Sequence, residues 1–158
     1  MANTRIYRHY GAEKFDPNHI YTKTGLYKPL GLYASPQNSK KFWVWKNWCI
    51  GNEYSTGSLD IWFDFRLSKD AKILKIRKPS DVKDYLIPDP NGYSIFDWDV
   101  TDGMLLDLDK LYRDYDAMLV IHGNNYEELH FSHLFNGWDV DSICVWNLDK
   151  VIPLWPYQ

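Results

Sequence analysis

Cysteine is scarce in this chain, and long apolar runs are absent. Cys49 and Cys144 are the two cysteines among 158 residues, and their separation fits neither a disulfide framework nor a zinc site built on paired cysteines. The longest apolar run, 117–121, is far shorter than the roughly 20 residues that span a bilayer. The opening MANTRIYRHY has no apolar stretch typical of a secretory signal. We therefore expect a cytoplasmic protein that does not enter the membrane.

An excess of positive charge is also missing. Lys and Arg number 18 against 21 Asp and Glu, a formal net charge of -3 at pH 7, which argues against a protein that coats duplex nucleic acid. A local strip of lysines can still meet phosphate: Lys23, Lys28, Lys40, Lys41 and Lys46. No repeat, low-complexity tract or linker divides the sequence, and its length predicts one domain, residues 1–158.

Aromatic residues are what this chain has in abundance. They make up 17% of it, with eight tryptophans and twelve tyrosines. Such side chains suit a packed core and also stack on rings and sugars. The composition therefore permits a ligand site without identifying one.

The apolar spacing predicts an alternation of strands and short helices. Strands are expected at 5–9, 59–67, 71–76 and 117–121, and helices at 80–86 and 107–115. Ser80 is expected to cap the first of these helices and Pro88 to stop it. Residues 88–103 are expected to form an ordered excursion from the sheet.

The stretch GLYASPQNSKKFWVWKNWC, residues 31–49, changes from strand to helix across one turn. Residues 30–34 predict a short strand, Ser35 is a good helix N-cap, and Pro36 suits a first helical position that needs no N–H. Spacing by three and four places four residues on one helix face: Phe42, Trp45, Trp48 and Cys49. Such a face usually packs in the core. Tyr33, at the junction, is expected to face a cleft.

Two further segments carry polar groups at strand ends. His9-Tyr10-Gly11 lies where the first strand ends, and DSICVWNLDKVIPL, residues 141–154, predicts a strand, a short turn and a second strand. Alternation along the first of these strands places Ser142, Cys144 and Trp146 on one face. The other face carries Asp139, Asp141, Ile143 and Val145, provided that the strand begins that early.

Taken in order, these segments resemble the motifs of the ADP-ribosyltransferase superfamily, in particular the His-Tyr-Glu branch that includes the poly(ADP-ribose) polymerases and diphtheria toxin. The first motif of that branch is a strand-end histidine followed closely by glycine; here Tyr10 is inserted between the two. The second is a Gly-aliphatic-Tyr strand end that leads into a helix with a Ser-Lys pair and a further aromatic. Here Gly31-Leu32-Tyr33 precedes Ser39-Lys40 and then Trp43 or Trp45.

The third motif of that branch begins with a glutamate, and here the sequence departs from it. Counting back from Asn147 places Ser142 at the glutamate position, with Asp141 beside it and Asp139 two residues further back. Breaking the nicotinamide–ribose bond of NAD builds positive charge on the ribose, so a fixed carboxylate stabilises the transition state. A serine cannot supply that charge. Asp141, turned into the cleft by a bulge, or else Asp139 is therefore the expected acid.

The resemblance implies an α+β fold with a split β-sheet core, a few flanking helices and a cleft that binds NAD, with no metal. It implies that His9 holds a ribose hydroxyl and that Tyr33 stacks on the nicotinamide. The residues implied to contact NAD are His9, Tyr10, Gly11, Tyr33, Ser35, Trp43 and Trp45. The catalytic residues are then His9, Tyr33 and Asp141 or Asp139.

The function implied is mono-ADP-ribosylation of a macromolecular acceptor, protein or nucleic acid, by a toxin, effector or anti-defence factor. Residues 126–135, just before the last motif, are implied to contact that acceptor. One alternative is an NAD glycohydrolase, and another is an inactive binding module that uses an aromatic-rich cleft. A cysteine nucleophile at Cys49 lacks any local signature. His130 and His133 have the spacing of a helical metal pair but no third ligand at a convincing distance in sequence, so we expect no metal there.

Overall fold

The computed structural model describes residues 4–21, 28–38, 44–92, 99–123, 128–129, 131–132, 134–135 and 137–154. The strands are β1 (Tyr7–Tyr10), β2 (Leu32–Pro36), β3 (Trp62–Leu67), β4 (Ile73–Ile76), β5 (Leu86–Pro88), β6 (Met104–Leu106), β7 (Ala117–Val120), β8 (Ser142–Val145) and β9 (Val151–Leu154). The α-helices are α1 (Trp45–Gly51) and α2 (Leu108–Asp114), and 3-10 helices span Thr56–Asp60, Pro79–Tyr85 and Leu148–Lys150.

Seven strands form one sheet in the order β4-β7-β8-β2-β1-β3-β9. β4 and β7 are parallel, and every other neighbouring pair is antiparallel. β5 and β6 pair in a separate two-stranded sheet. The described chain is therefore α+β, as the resemblance implies, with a large and mostly antiparallel sheet.

Each face of the large sheet packs its own apolar core. One core contains Tyr7, Phe65, Leu119, Ile143 and Val145, and the other contains Met118, Phe135, Trp138 and Cys144. The predicted alternation on β8 is confirmed, because neighbouring residues of that strand enter opposite cores. We call the core that contains Tyr7 the first core and the core that contains Trp138 the second core.

Several predicted elements are confirmed to within one or two residues. β4 and β7 fall inside the predicted strands, and α2 begins one residue after its predicted start. The Asp107 side chain accepts the N–H of Lys110 and so caps α2. The buried Leu111 faces the second core from α2. The predicted strand, turn and strand at the C-terminal side are present as β8, a 3-10 turn and β9.

The prediction that Ser35 caps a helix starting at Pro36 is wrong. Both residues belong to β2, where Tyr7 lies opposite Pro36 and Arg8 lies opposite Ser35. The pairing continues past the proline, because Gln37 N–H donates to the carbonyl of Ile6 at 2.9 Å. Pairing with β1 overrides the local helix signal, and the helix begins only at Trp45.

Three other predicted boundaries are also wrong. Leu59 lies in the 3-10 helix Thr56–Asp60, and β3 starts only at Trp62, although the predicted burial of alternate residues holds from Phe63 onward. Ser80 lies inside the 3-10 helix Pro79–Tyr85 and does not cap it. The carboxylate of Asp81 instead accepts the N–H groups of Arg77 and Lys78. Pro88 ends a strand rather than stopping a helix.

Some predictions concern residues outside the described ranges. These residues are Lys23, Ser39, Lys40, Lys41, Phe42, Trp43, Tyr126, His130 and His133, together with the segment 93–98. The predictions on them therefore stay predictions. Within the part of the chain that is described, no helix is long and apolar enough to cross a bilayer.

Candidate functional site

A cleft opens where β1 and β2 separate. These strands are paired at only two positions, Tyr7 with Pro36 and Arg8 with Ser35. Beyond this point β1 continues along β3 as far as Tyr10, while β2 continues along β8. The gap between them is a cavity of about 280 Å³, slightly below the usual range for small-molecule sites.

The cleft brings together six of the nine residues that the resemblance implies for NAD contact or catalysis, from four separate segments. They are His9, Tyr10, Tyr33, Ser35, Trp45 and Asp139. Gly11 follows β1 and donates its N–H to the carbonyl of Ile61 at 2.8 Å, outside the cleft lining. Trp43 is outside the described residues, and Asp141 is not in the lining.

His9 is held by the backbone of β2. Its Nδ1 lies 2.7 Å from the carbonyl oxygen of Tyr33. Because a carbonyl can only accept, Nδ1 carries the hydrogen, and in the neutral ring Nε2 is then an acceptor. Burial lowers the pKa of His9, although the bond to Tyr33 opposes the shift. A neutral ring with an acceptor nitrogen is therefore the expected form at neutral pH.

Tyr33 is fixed at both its ring and its hydroxyl. The hydroxyl donates to the carbonyl of Pro29 at 2.5 Å. The ring lies on the second-core side of β2, with its centroid 5.6 Å from that of Trp138 at an interplanar angle of 50°. An edge-tilted aromatic pair of this kind gives the cleft a rigid apolar wall.

Ser35 links the cleft to helix α1, although it is not the predicted cap. The backbone N–H of Trp45 donates to Ser35 Oγ at 3.3 Å. Trp45 lines the cleft and stacks on Trp48 with ring centroids 5.2 Å apart and an angle of 12°. Tyr54 packs edge-on against both indoles. Trp48 and Tyr54 therefore support the Trp45 ring where it lines the cleft.

Lys28 brings a cation into the cleft that motif reasoning did not assign to this site. Its ammonium donates to the carbonyl of Gly137 at 2.6 Å and lies 5.1 Å from the ring centroid of Trp138. Burial lowers the pKa of Lys28, and attraction to Asp139 opposes the shift. Lys28 belonged to the predicted basic strip, but nothing in the spacing indicates a contact with residue 137, which is 109 positions away.

The third motif places two polar side chains in the cleft and one outside it. Asp139 and Ser142 line the cavity, and Ser142 Oγ donates to the carbonyl of Val140 at 3.1 Å. Asp141 is buried, and its carboxylate accepts the backbone N–H of His122 at 2.8 Å. Asp139 is the one carboxylate among the described residues that line the cleft.

Arg8 also borders the cleft, but its charge is already compensated. Its guanidinium forms a two-pronged ion pair with Asp64, at 2.7 and 2.9 Å, and lies 4.8 Å from the ring centroid of Trp62. This pairing raises the pKa of Arg8. Lys28 is therefore the cation better placed to meet an anionic ligand in the cleft.

The two cysteines are poor nucleophiles. Both are buried, and burial raises the pKa of the Cys49 thiol and that of Cys144, the latter to about 12. Since the thiolate is the reactive form, these sites disfavour the chemistry considered for Cys49. Among the residues that the structure describes, no group of three or more His, Cys, Asp or Glu side chains is arranged to hold a metal ion.

The predicted acceptor segment 126–135 is described only in part. Leu129, Ser132 and Phe135 are fully buried, whereas Phe131 is 61% exposed. Ser132 shares a buried hydrogen bond with Thr101 at 2.8 Å. Most described members of this segment therefore face the interior.

The chain matches no protein-family model, no characterised protein and no solved structure.

Proposed function

We propose that this protein is an NAD-dependent mono-ADP-ribosyltransferase with an ADP-ribosyltransferase-like split sheet, and that NAD binds where β1 and β2 separate. The observation that supports the proposal is the convergence of all three motif segments on one cavity: His9 from the first, Tyr33 from the second, and Asp139 with Ser142 from the third. These segments are far apart in sequence.

The aromatic walls suit the nicotinamide ring. Tyr33, Trp45 and Trp138 line a cavity of about 280 Å³, a volume that suits the nicotinamide riboside half of NAD better than the whole dinucleotide. Stacking on a fixed tyrosine costs little conformational entropy, because the Tyr33 hydroxyl is already bonded to Pro29. The remainder of NAD then lies outside this cavity.

His9 and Lys28 supply the polar contacts. With its Nδ1 hydrogen directed at the Tyr33 carbonyl, His9 keeps Nε2 to accept a ribose hydroxyl hydrogen. Lys28 places an ammonium beside Tyr33 and Trp138, where it can pair with the pyrophosphate. In that position Lys28 would compensate the negative charge of the pyrophosphate.

Asp139 is the proposed catalytic carboxylate. As the nicotinamide leaves, positive charge develops on the ribose, and a carboxylate that lines the cleft would stabilise that charge more than the ground state. Asp141 was the first expectation for this role, but its carboxylate is committed to the backbone of His122. The same carboxylate at Asp139 can accept a proton from the acceptor nucleophile.

Nicotinamide release from NAD by the purified protein tests this assignment. Asp139→Asn is expected to reduce the rate by on the order of a hundredfold, since it removes one preorganised electrostatic group. Asp84→Asn, at an exposed carboxylate outside the cleft, is expected to leave it unchanged. Asp141→Asn is expected to lower thermal stability more than the rate, because a buried hydrogen bond is weakened.

The opposite ranking would contradict the assignment of the acid. If Asp139→Asn retains activity within a few fold while folded Asp141→Asn loses it, the catalytic carboxylate is Asp141. If the wild-type protein releases no nicotinamide with or without a cell lysate as acceptor, the proposed activity is wrong.

A further inference from the structure

A second and larger cavity lies apart from the cleft. It has a volume of about 780 Å³ and is formed by the chain before and at the start of β1, the turn after β2, the β3–β4 turn, β4 and β7. We call it the basic groove. Tyr7 and Leu119 in its wall belong to the first core, whereas the cleft residues Tyr33 and Trp138 pack with the second core. The groove and the cleft share none of their lining residues.

The charge in this groove is of one sign. Arg5, Lys69 and Lys75 line it, and no carboxylate does, among the residues that the structure describes. The chain as a whole has a formal net charge of -3. The charge of the groove lining is therefore opposite in sign to the net charge of the chain. Such a concentration attracts polyanions and raises their association rate.

The Arg5 side chain hydrogen-bonds to Tyr7, but the charges of these three cations have no acidic partner among the described residues. Asp70, the acid next to Lys69, is engaged elsewhere: its carboxylate accepts from Lys150 Nζ at 2.8 Å and from the Ser68 hydroxyl at 2.7 Å. Lys69 and Lys75 are exposed, so their ammonium groups are available to a ligand.

Neutral donors complete the lining. Thr4, Gln37 and Asn38 place hydroxyl and amide groups in the same groove, and such groups, with Arg and Lys, make most protein contacts to phosphate and sugar. The two lysines are exposed at the rim rather than enclosed. Exposed charged groups of this kind can contact an extended phosphate backbone. They are less suited to a small ligand, because a small ligand is usually buried over most of its surface.

We propose that the basic groove binds a single-stranded nucleic acid through its phosphates, with Arg5, Lys69 and Lys75 as the main contacts. The binding is sequence-tolerant, since charged side chains read the backbone and not the bases. Because the groove and the cleft share no lining residue, this binding does not depend on the proposed reaction with NAD.

Fluorescence anisotropy with a labelled single-stranded oligonucleotide of about twelve nucleotides, as DNA and as RNA, tests the proposal without NAD. The groove variant is Arg5→Gln with Lys69→Gln and Lys75→Gln. Its control is Lys14→Gln with Arg77→Gln and Lys83→Gln, which removes one arginine and two lysines from exposed positions outside the groove. The two variants therefore have the same net charge.

Wild type and control are expected to bind alike, with affinity falling as salt rises. The groove variant should bind at least about tenfold more weakly, and its log–log salt slope should be shallower by about 2, since each of three phosphate contacts contributes about 0.7. Lys69→Gln with Lys75→Gln, limited to the exposed lysines, should make the slope shallower by about 1.4.

Three results would overturn the proposal. One is equal affinity and slope in wild type and in the folded groove variants, and another is no binding by wild type at low salt. The third is full displacement of the oligonucleotide by ATP or by an acidic peptide at the same concentration of negative charge, which would assign the groove to a small anion or to a protein partner. Each of these results leaves nicotinamide release untouched.

Discussion

At the residue scale, His9 and His122 are expected to make stability depend on pH. Both side chains are substantially buried, and burial lowers the pKa of each below the ordinary value of 6.5. Between 6.5 and the lowered folded-state pKa, the unfolded chain therefore binds more protons than the native one. The free energy of unfolding then rises with pH across this window.

We expect the melting temperature to fall as the pH is lowered from 7.5 to 5, with the decrease starting near 6.5. Thermal melts at fixed ionic strength measure it. His9→Gln keeps a hydrogen-bonding side chain and should reduce the pH dependence, whereas His19→Gln, at an exposed histidine, should change it little. A melting temperature that is flat or rises toward pH 5 would contradict the burial of neutral histidines.

The backbone approaches β8 closely at Gly31, just before β2. Leu32, the next residue, lies opposite Val145. A Cβ at position 31 would lie 2.4 Å from the Val145 carbonyl oxygen and 2.9 Å from Cys144 Sγ. The first of these atoms is backbone of the neighbouring strand, so the contact cannot be relieved by a change of rotamer.

Gly31→Ala is therefore expected to destabilise the protein by about 1–3 kcal/mol, the usual range for overpacking. Denaturant unfolding measures this change. Gly51→Ala, where an added Cβ meets nothing within 4 Å, is expected to have no effect or a small stabilising one, because alanine is the better helix former. Equal stability of Gly31→Ala and wild type would mean that β2 and β8 are further apart than described.

Strand content was predictable where apolar residues alternate, as along β3, and where they form an unbroken run, as along β7. Tyr33 and His9 were predicted to end strands; the structure places them inside β2 and β1 and beside one cavity. The strand through Ser35 and Pro36 was not predictable, because it depends on pairing with β1, almost thirty residues earlier. Local capping signals carry no information about such a partner.

Residues of the cleft could be predicted where they belong to a sequence motif. They could not be predicted where the fold brings a segment without a motif into the cleft. Lys28 and Trp138 line the cleft because two loops contact each other there: Lys28 bonds to Gly137, 109 residues away in sequence, and lies beside the Trp138 ring. Asp139 rather than Asp141 lines the cavity because β8 starts only at Ser142. Asp139 and Asp141 both precede the strand, so counting residues along the sequence cannot predict which of their side chains lines the cavity.

The proposed function of the whole molecule is the transfer of ADP-ribose from NAD to a macromolecule at the cleft between β1 and β2. The measurement uses NAD labelled in the adenylate phosphate and, in parallel, NAD labelled in the nicotinamide, each incubated with the protein and a cell lysate. Transfer breaks the nicotinamide–ribose bond, so only the adenylate label should reach macromolecules, and nuclease or protease treatment then identifies the acceptor class. The label should be lost with Asp139→Asn and retained with Asp84→Asn. Free ADP-ribose without labelled macromolecules would indicate a glycohydrolase, and intact NAD in both reactions would contradict the account.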